Sequence, residues 1–316
     1  MGQKDIEQPV TLPRPRPPLP ARRALLASAL AAVGGFALGW LAPRQRGAEP
    51  PAETADLGAA DLGAADLGAA DLGAFYHQWS KPGHGPALGA APDWGRQPPR
   101  TKTYPDAARI PLRDPSGWQA LGLERAIESR RSVRDYAAAP LTLDHLSRLL
   151  HAAQGITEPR RGLRAVPSAG ALYPIELYPV VRDVAGLEPG LYHYAVQEHA
   201  LERVQAGDWH TGVMQAGLGQ SVLGQAGLGQ SVLGQAAVCF VLSAIFQRTR
   251  WKYRERAYRY VLLEAGHVGQ NLCLAATGLG LGACTVGAFD DDALNDLLGL
   301  DGQEEAALYI IAVGKG

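Results

Sequence analysis

Cysteine is scarce in this 316-residue chain: Cys239, Cys273 and Cys284 are its only three, none in a CxxC pair and all in apolar surroundings. That pattern excludes a disulfide framework and argues against a zinc site, leaving the thiols as packed core residues. A net charge is also missing. Lys+Arg 30 against Asp+Glu 31 gives −1, so no basic field exists to neutralise a nucleic-acid backbone. No Gly-x-Ser-x-Gly occurs, and Ser168 has no assigned base, which removes support for serine hydrolysis. Glu264 and His267 make one Glu-x-x-His pair with no second copy, so a di-iron bundle is not expected and a structural hydrogen bond is. The glycines at 278, 280 and 282 end a helical pattern where a dinucleotide fingerprint must begin one.

What is present divides by composition. Residues 1–21 form a Pro/Arg-rich tail that cannot build a core. Within residues 22–42, no charge occurs from Ala24 to Ala42. A helix over those positions spans roughly 28 Å, close to a bilayer's hydrocarbon thickness. Arg22-Arg23 before it resembles a twin-arginine signal, but Trp40, Leu41 and Ala42 offer no small-residue cleavage site, so an uncleaved anchor is expected. Arg14, Arg16, Arg22 and Arg23 outnumber Arg44 and Arg46, which places the main domain on the extracytoplasmic, periplasmic side. Residues 43–115 read as a low-complexity linker with Asp-Leu-Gly-Ala-Ala units starting at Asp56, Asp61, Asp66 and Asp71. A period of five gives no continuous apolar face, so these units read as a spacer.

Residues 116–316 carry the folded pattern. Thr142 is placed to cap a helix with apolar Leu143, Leu146, Leu149, Leu150 and Ala153, stopped by Gly155. Strands are expected at 177–184, 190–196, 201–204, 237–245, 283–287 and 308–313, and a long apolar helix at 258–279. A decapeptide at 216–225, repeated at 226–235, is expected to lengthen a helix or loop. Strands and helices do not alternate in βαβ units, so an α+β fold with a mixed central sheet flanked by helices is expected.

Two segments carry chemistry. Arg130, Arg131, Ser132 and Arg134 put three guanidinium groups and a hydroxyl within five residues, a donor set suited to a phosphate. Arginine runs are also ordinary solvated surface, and the cluster alone leaves both readings open. Pro167, Ser168, Ala169 and Gly170 open a rigid, irregular loop whose backbone N–H groups could approach a flat ligand, or simply a connection.

The order Arg-Arg-Ser-x-Arg-x-Tyr at 130–136, Pro-Ser-Ala-Gly-Ala-Leu-Tyr-Pro at 167–174, Gly-Leu-Tyr-His-Tyr at 190–194, Lys-Tyr at 252–253, Glu-Ala-Gly-His at 264–267 and Gly-Leu-Gly-Leu-Gly at 278–282 resembles the SagB/ThcOx-type dehydrogenases of the nitroreductase family. The resemblance covers residues 118–316. It implies FMN held noncovalently at a homodimer interface. Arg130, Arg131, Ser132 and Arg134 would then bind the FMN phosphate and ribityl chain, and Pro167 to Gly170 would lie by the isoalloxazine. Gly280, Leu281 and Gly282 would pass close to the cofactor from the partner loop, and Lys315 would turn toward the phosphate. Lys252 and Tyr253 match the Lys-Tyr pair of azoline oxidases, where one of them could remove the substrate proton while the flavin takes the hydride. The ordinary alternative for residues 248–259 is a basic surface loop. The implied reaction is oxidation of an azoline in a modified peptide. An NAD(P)H-dependent nitro or quinone reductase, and a flavin- or heterocycle-binding membrane protein without turnover, are the alternatives.

Overall fold

The computed structural model describes residues 95–114, 117, 121–217 and 228–316, together with residues 73, 76, 77, 80 and 81. All the elements below belong to a compact unit spanning Leu67–Gly316. The charge-free stretch 24–42, nearly all of the pentapeptide array and residues 218–227 of the decapeptide repeat lie outside the described residues. Among the described residues no helix is long and apolar enough to cross a membrane.

Strand β9 (Val238–Ile245) is apolar at every position but Ser243, and it lies inside a seven-stranded sheet, next to the middle strand. Its neighbours are β5 (Ile175–Val181) and β11 (Glu305–Gly314). Outward from β5 come the hairpin β7 (Gly190–Ala195) and β8 (Ala200–Ala206), then β1 (Ala108–Pro111); outward from β11 comes β10 (Gly282–Val286). Period-two alternation sends Ile175, Leu177 and Val181 to one face and Tyr178 and Val180 to the other. The first face packs on α2 (Leu143–Gln154) and the long α6 (Ala257–Gly278). The second packs on α3 (His210–Ala216), α4 (Leu228–Gln235) and α7 (Asp291–Leu298). Both faces of the sheet are therefore covered, which is why β5 and β9 are apolar at nearly every position.

Thr142 caps α2 as expected: its Oγ1 accepts the His145 N–H at 3.1 Å, while His145 Nδ1 accepts the Thr142 N–H at 3.3 Å. The hairpin, β9, α6 and the closing strands also stand where periodicity puts them. All three cysteines are buried free thiols, and burial pushes that of Cys239 up to about 12.

Two expectations and one alternative are corrected. The sheet is not mixed: every pairing between its named strands is antiparallel. Among the described residues parallel pairing is confined to a bridge between Ser132 and Ala283 beside β10 and to the short β2 (Leu141–Thr142) with β6 (Val184–Ala185). The tight hairpin joins β7 and β8 antiparallel, and where β9 and β10 run the same way, joined through α6, β11 is inserted between them. Secondly, the folded domain begins before residue 116, because β1 pairs with β8 and Arg164 Nη2 donates to the Arg100 carbonyl at 2.7 Å. As a largely exposed edge strand, β1 lacks an apolar signature. Thirdly, residues 246–253 form a helix, α5 (Phe246–Tyr253), not a basic loop. Its Arg248 is only 2% exposed because it is paired inside.

Candidate functional site

Helix α1 (Leu123–Ser129) ends at Arg130, whose extended backbone turns the chain toward β10. Arg131 folds back and donates to the carbonyls of Glu128 and Arg130 at 2.9 and 2.8 Å, so it caps α1 and does not project outward. Val133 N–H donates to the Ala283 carbonyl at 3.0 Å, and Ala137 N–H to that of Lys315 at 2.8 Å. The segment thus lies across the ends of β10 and β11. Tyr136 anchors it from below through a hydrogen bond to the Ala312 carbonyl.

Two glycines make this approach possible. A Cβ on Gly282 would stand 2.7 Å from Val133 Cγ1, and one on Gly314 2.8 Å from the Tyr136 ring. Gly280, at φ +69°, makes the turn into β10, and Leu281 is buried. Ser132 and Arg134 are exposed and Arg130 is half-buried. Arg130 is near enough to oppose the effect of burial on the Cys273 thiol, and Arg134 does the same for Cys284. Lys315 joins them: with burial, its charge pulls the His145 imidazole below its ordinary value. Among the described residues neither Arg130, Arg134 nor Lys315 has a carboxylate partner. These cations without carboxylate partners are carried on backbone segments that meet at the ends of β10 and β11.

The second group of residues forms around the loop 167–174. Gly170, Ala171 and Tyr173 all have positive φ (65°, 53° and 49°), a conformation costly for the two non-glycines. The surroundings hold it. Ser168 Oγ accepts the Tyr173 N–H at 2.8 Å, the Tyr173 hydroxyl accepts the Arg164 N–H at 3.0 Å, and the Tyr173 carbonyl accepts from Arg248 Nη1 at 2.8 Å. Lys252 and Tyr253 close over this loop: a Cβ on Gly170 would lie 3.1 Å from Tyr253 Oη and 3.4 Å from Lys252 Nζ. Lys252 follows Arg248 by four residues on α5, hence on the same helical face, so anchoring Arg248 also aims Lys252.

That anchor is a buried ionic chain. Arg248 Nη1 meets Glu176 Oε1 at 2.5 Å; Glu176 Oε2 meets His193 Nε2 at 2.9 Å, and His193 Nδ1 meets Glu202 Oε2 at 2.9 Å. Arg109 Nη2 completes the chain at 3.1 Å from Glu202 Oε1. Burial disfavours the His193 imidazolium, yet its hydrogen bonds to both carboxylates outweigh that and raise its pKa. Burial likewise pushes the Glu176 carboxyl up, and His193 with Arg248 hold it below the usual range.

Pro167, Ser168 and Ala169 line a cavity of about 290 Å³ with Tyr260, Leu263 and His267 of α6, and Glu264 also lines it. Glu264 is 3% exposed, and among the described residues its buried Oε1 has no hydrogen-bond partner. Burial raises this carboxyl to about 7 against the pull of Ser168, Arg164 and Arg248. The structure therefore brings Pro167, Ser168, Ala169 and Gly170 together with Lys252 and Tyr253. Separately, it brings Arg130, Ser132 and Arg134 together with Gly282 and Lys315. Glu264 and Cys273, which mark the two groups, are nine residues apart on α6, about 14 Å along the helix. Sequence reasoning gave Glu264 only a structural hydrogen bond, which its Oε1 does not make, and missed Arg164 and the Arg248–Glu176–His193–Glu202 chain. Its one signal was ionisable residues inside otherwise apolar strands, such as Glu176 in β5 and His193 in β7.

The Nitroreductase family pattern matches residues 127–315, which include the arginine segment, the loop, α5 and Lys315. The nitroreductase homologue MJ1384 of Methanocaldococcus jannaschii is 40% identical over 197 residues, 62% of this chain and 92% of that protein. The Microcin B17-processing protein McbC of Escherichia coli is 30% identical over 174 residues, 54% of this chain and 61% of its own length. A crystal structure of a nitroreductase homologue from Ralstonia eutropha superimposes with a TM-score of 0.55 at 25% identity, covering 71% of this chain and 97% of that one. On its sequence and its fold, the chain belongs to the nitroreductase family.

Proposed function

We propose that the chain is an FMN-dependent dehydrogenase that oxidises azoline rings in a modified peptide. The observation that carries this reading is the closure of Lys252 and Tyr253 over the strained loop at Gly170, beside which Arg130, Arg134 and Lys315, cations with no carboxylate partner among the described residues, would form a cationic phosphate cradle. The residues present fit FMN. Arg130, Ser132, Arg134 and Lys315 would hold its phosphate, and the backbone of Pro167 to Gly170 would face its ring. Bound there, FMN supplies a two-electron hydride acceptor. The chain's own residues do the rest. Lys252 Nζ or Tyr253 Oη takes the proton that leaves the ring as the C–H hydrogen departs with its electron pair. The loop orients the ring, and the ionic chain behind Arg248 keeps α5 in place.

McbC is a Microcin B17-processing protein, and the similarity to it favours a processed macromolecule over a free nitroaromatic as the substrate. The extracytoplasmic placement that Arg22-Arg23 and the stretch 24–42 favour would also deprive a reductase of NAD(P)H. Incubating the holoprotein with a synthetic thiazoline peptide under air should give a product two hydrogen atoms lighter per ring. Unchanged peptide, with NAD(P)H-driven reduction of a nitroaromatic instead, would return the reductase alternative.

A second copy of the chain completes the reading. Leu123 and Ile127 on α1 are 62% and 56% exposed, and Tyr258, Leu262 and Leu263 on α6 are 46%, 44% and 56% exposed. Such apolar residues are what a homodimer covers. Light scattering should report twice the monomer mass for the holoprotein and the monomer mass for a Leu262→Glu, Leu263→Glu double variant. A wild-type monomer that still carries flavin would refute the dimer.

A further inference from the structure

Ahead of the residues that the family pattern matches, the chain runs as a strap over 95–107 and then pairs as β1 with β8. The strap touches the supports of the site at three places. Trp251, the residue before Lys252 on α5, donates its indole N–H to the Gly95 carbonyl at 3.0 Å. Arg164 donates from Nη2 to the Arg100 carbonyl at 2.7 Å. The same arginine holds the strained loop, since its N–H goes to the Tyr173 hydroxyl and its guanidinium lies 4.4 Å from the centre of the Tyr173 ring. Tyr104 gives its backbone N–H to Glu202 Oε2 at 3.1 Å, the oxygen that also meets His193. Between the second and third contacts stands Lys102. Its Nζ meets Glu305 Oε2 at 2.6 Å and donates to the Tyr178 hydroxyl at 2.8 Å. Tyr178 passes its own hydrogen to Glu305 Oε1 at 3.0 Å, so the Tyr104 hydroxyl, 3.1 Å away, donates to Tyr178. Glu305 is 9% exposed, and among the described residues Lys102 is the one cation paired with it. Breaking that pair leaves an enclosed carboxylate without its cation, which makes Lys102 the fastening point of the strap.

We infer that Lys102 is a positioning residue of the dehydrogenase: fastened to Glu305, it holds the strap against Trp251 and Arg164, and through them sets Lys252 and the loop at Tyr173. This rests on the peptide-dehydrogenase reading above. Proton removal needs its acceptor within hydrogen-bond reach of the ring, and a misplacement of about 1 Å costs on the order of a hundredfold in rate. A loosened strap therefore slows the chemical step far more than it weakens flavin binding, which falls to residues outside the strap.

The test uses the FMN-loaded full chain. Flavin reduction by a saturating thiazoline peptide is followed in a single turnover, and amide hydrogen exchange by mass spectrometry. Lys102→Met should slow reduction by roughly ten- to a hundredfold, with KM and the flavin spectrum close to wild type. Lys102→Arg, which keeps the charge, should restore most of the rate. Amides of the loop 167–174 and of α5 should exchange faster in Lys102→Met, and those of β10 should not. Trp251→Phe removes the indole donor alone; joined to Lys102→Met it should add less than its separate effect, because both act through one strap. If Lys102→Met does not fold, Lys102→Gln is read in its place. Unchanged exchange in the loop and α5 overturns the assignment, as does a double variant slowed by the full product of the single effects. So does loss of flavin absorption, which would tie the strap to the cofactor. A wild type whose flavin no thiazoline peptide reduces sinks the dehydrogenase reading and this assignment together, whereas reduction that is equally fast in the wild type and the Lys102 variant sinks this assignment alone.

Discussion

Lys252→Met should lower the rate of substrate oxidation by about a hundred- to ten-thousandfold, the range associated with losing a positioned proton acceptor, while flavin binding stays intact. Tyr253→Phe should fall in the same range if the phenol is the acceptor, and close to wild type if it only orients the lysine. The geometry makes the pair worth this test. Both side chains are half-buried, both reach the Cα side of Gly170, and Lys252 Nζ lies 5.5 Å from the centre of the Tyr253 ring. Neither belongs to the cationic cradle, so losing either should leave the absorption spectrum unchanged. Single-turnover reduction of the bound flavin by a thiazoline peptide measures the step directly. Both variants reducing flavin at the wild-type rate would remove the pair from the chemistry.

Glu176→Gln should cost about 3–5 kcal/mol of folding stability, because it removes one partner of a buried chain and strands the others. Arg248 and His193 would each keep a charge in a site where Glu176 is 2% exposed and His193 fully buried. Urea denaturation at pH 6 measures the difference, and a loss below about 1 kcal/mol, the range of a surface pair, would contradict it. The pH dependence has two arms. The Glu176 and Glu202 carboxyls are held low by His193 against burial. Their contribution is complete above the unfolded value of about 4.3 and is lost as pH falls through the folded values. The His193 pKa is raised by the same contacts. Its contribution is complete below about 6.5 and is lost as pH rises through the folded value. All three support the fold together between about pH 4.5 and 6.5, and wild-type stability should peak there. In Glu176→Gln the acid arm should flatten.

Much of this fold could be read before any coordinates. Thr142 and Gly155 mark the ends of α2, the apolar run after Ala237 gives the central strand, and the long apolar pattern gives α6. Each is a local signal repeated over eight or more residues. Strand β1 was hidden because an edge strand with one neighbour and an exposed face carries no period. Arg248 looked like surface charge because the carboxylate that draws it inward, Glu176, sits on a distant strand. Arg131 was grouped with its neighbours, and only the position of the α1 carbonyls shows that it caps the helix. Glu264 stands out in the sequence only through its Glu-x-x-His spacing; an unpaired oxygen is a property of packing, and no spacing rule reveals it.

The flavin and its phosphate cradle are the central claim, and the visible absorption spectrum tests it most directly. Purified protein, or protein given FMN and then desalted, should show the bands of bound oxidised flavin at about 370 and 450 nm. Arg130→Ala together with Arg134→Ala should abolish them while the far-ultraviolet circular dichroism stays unchanged. A folded, colourless wild type that takes up no FMN, or a double variant that retains it fully, would contradict the account.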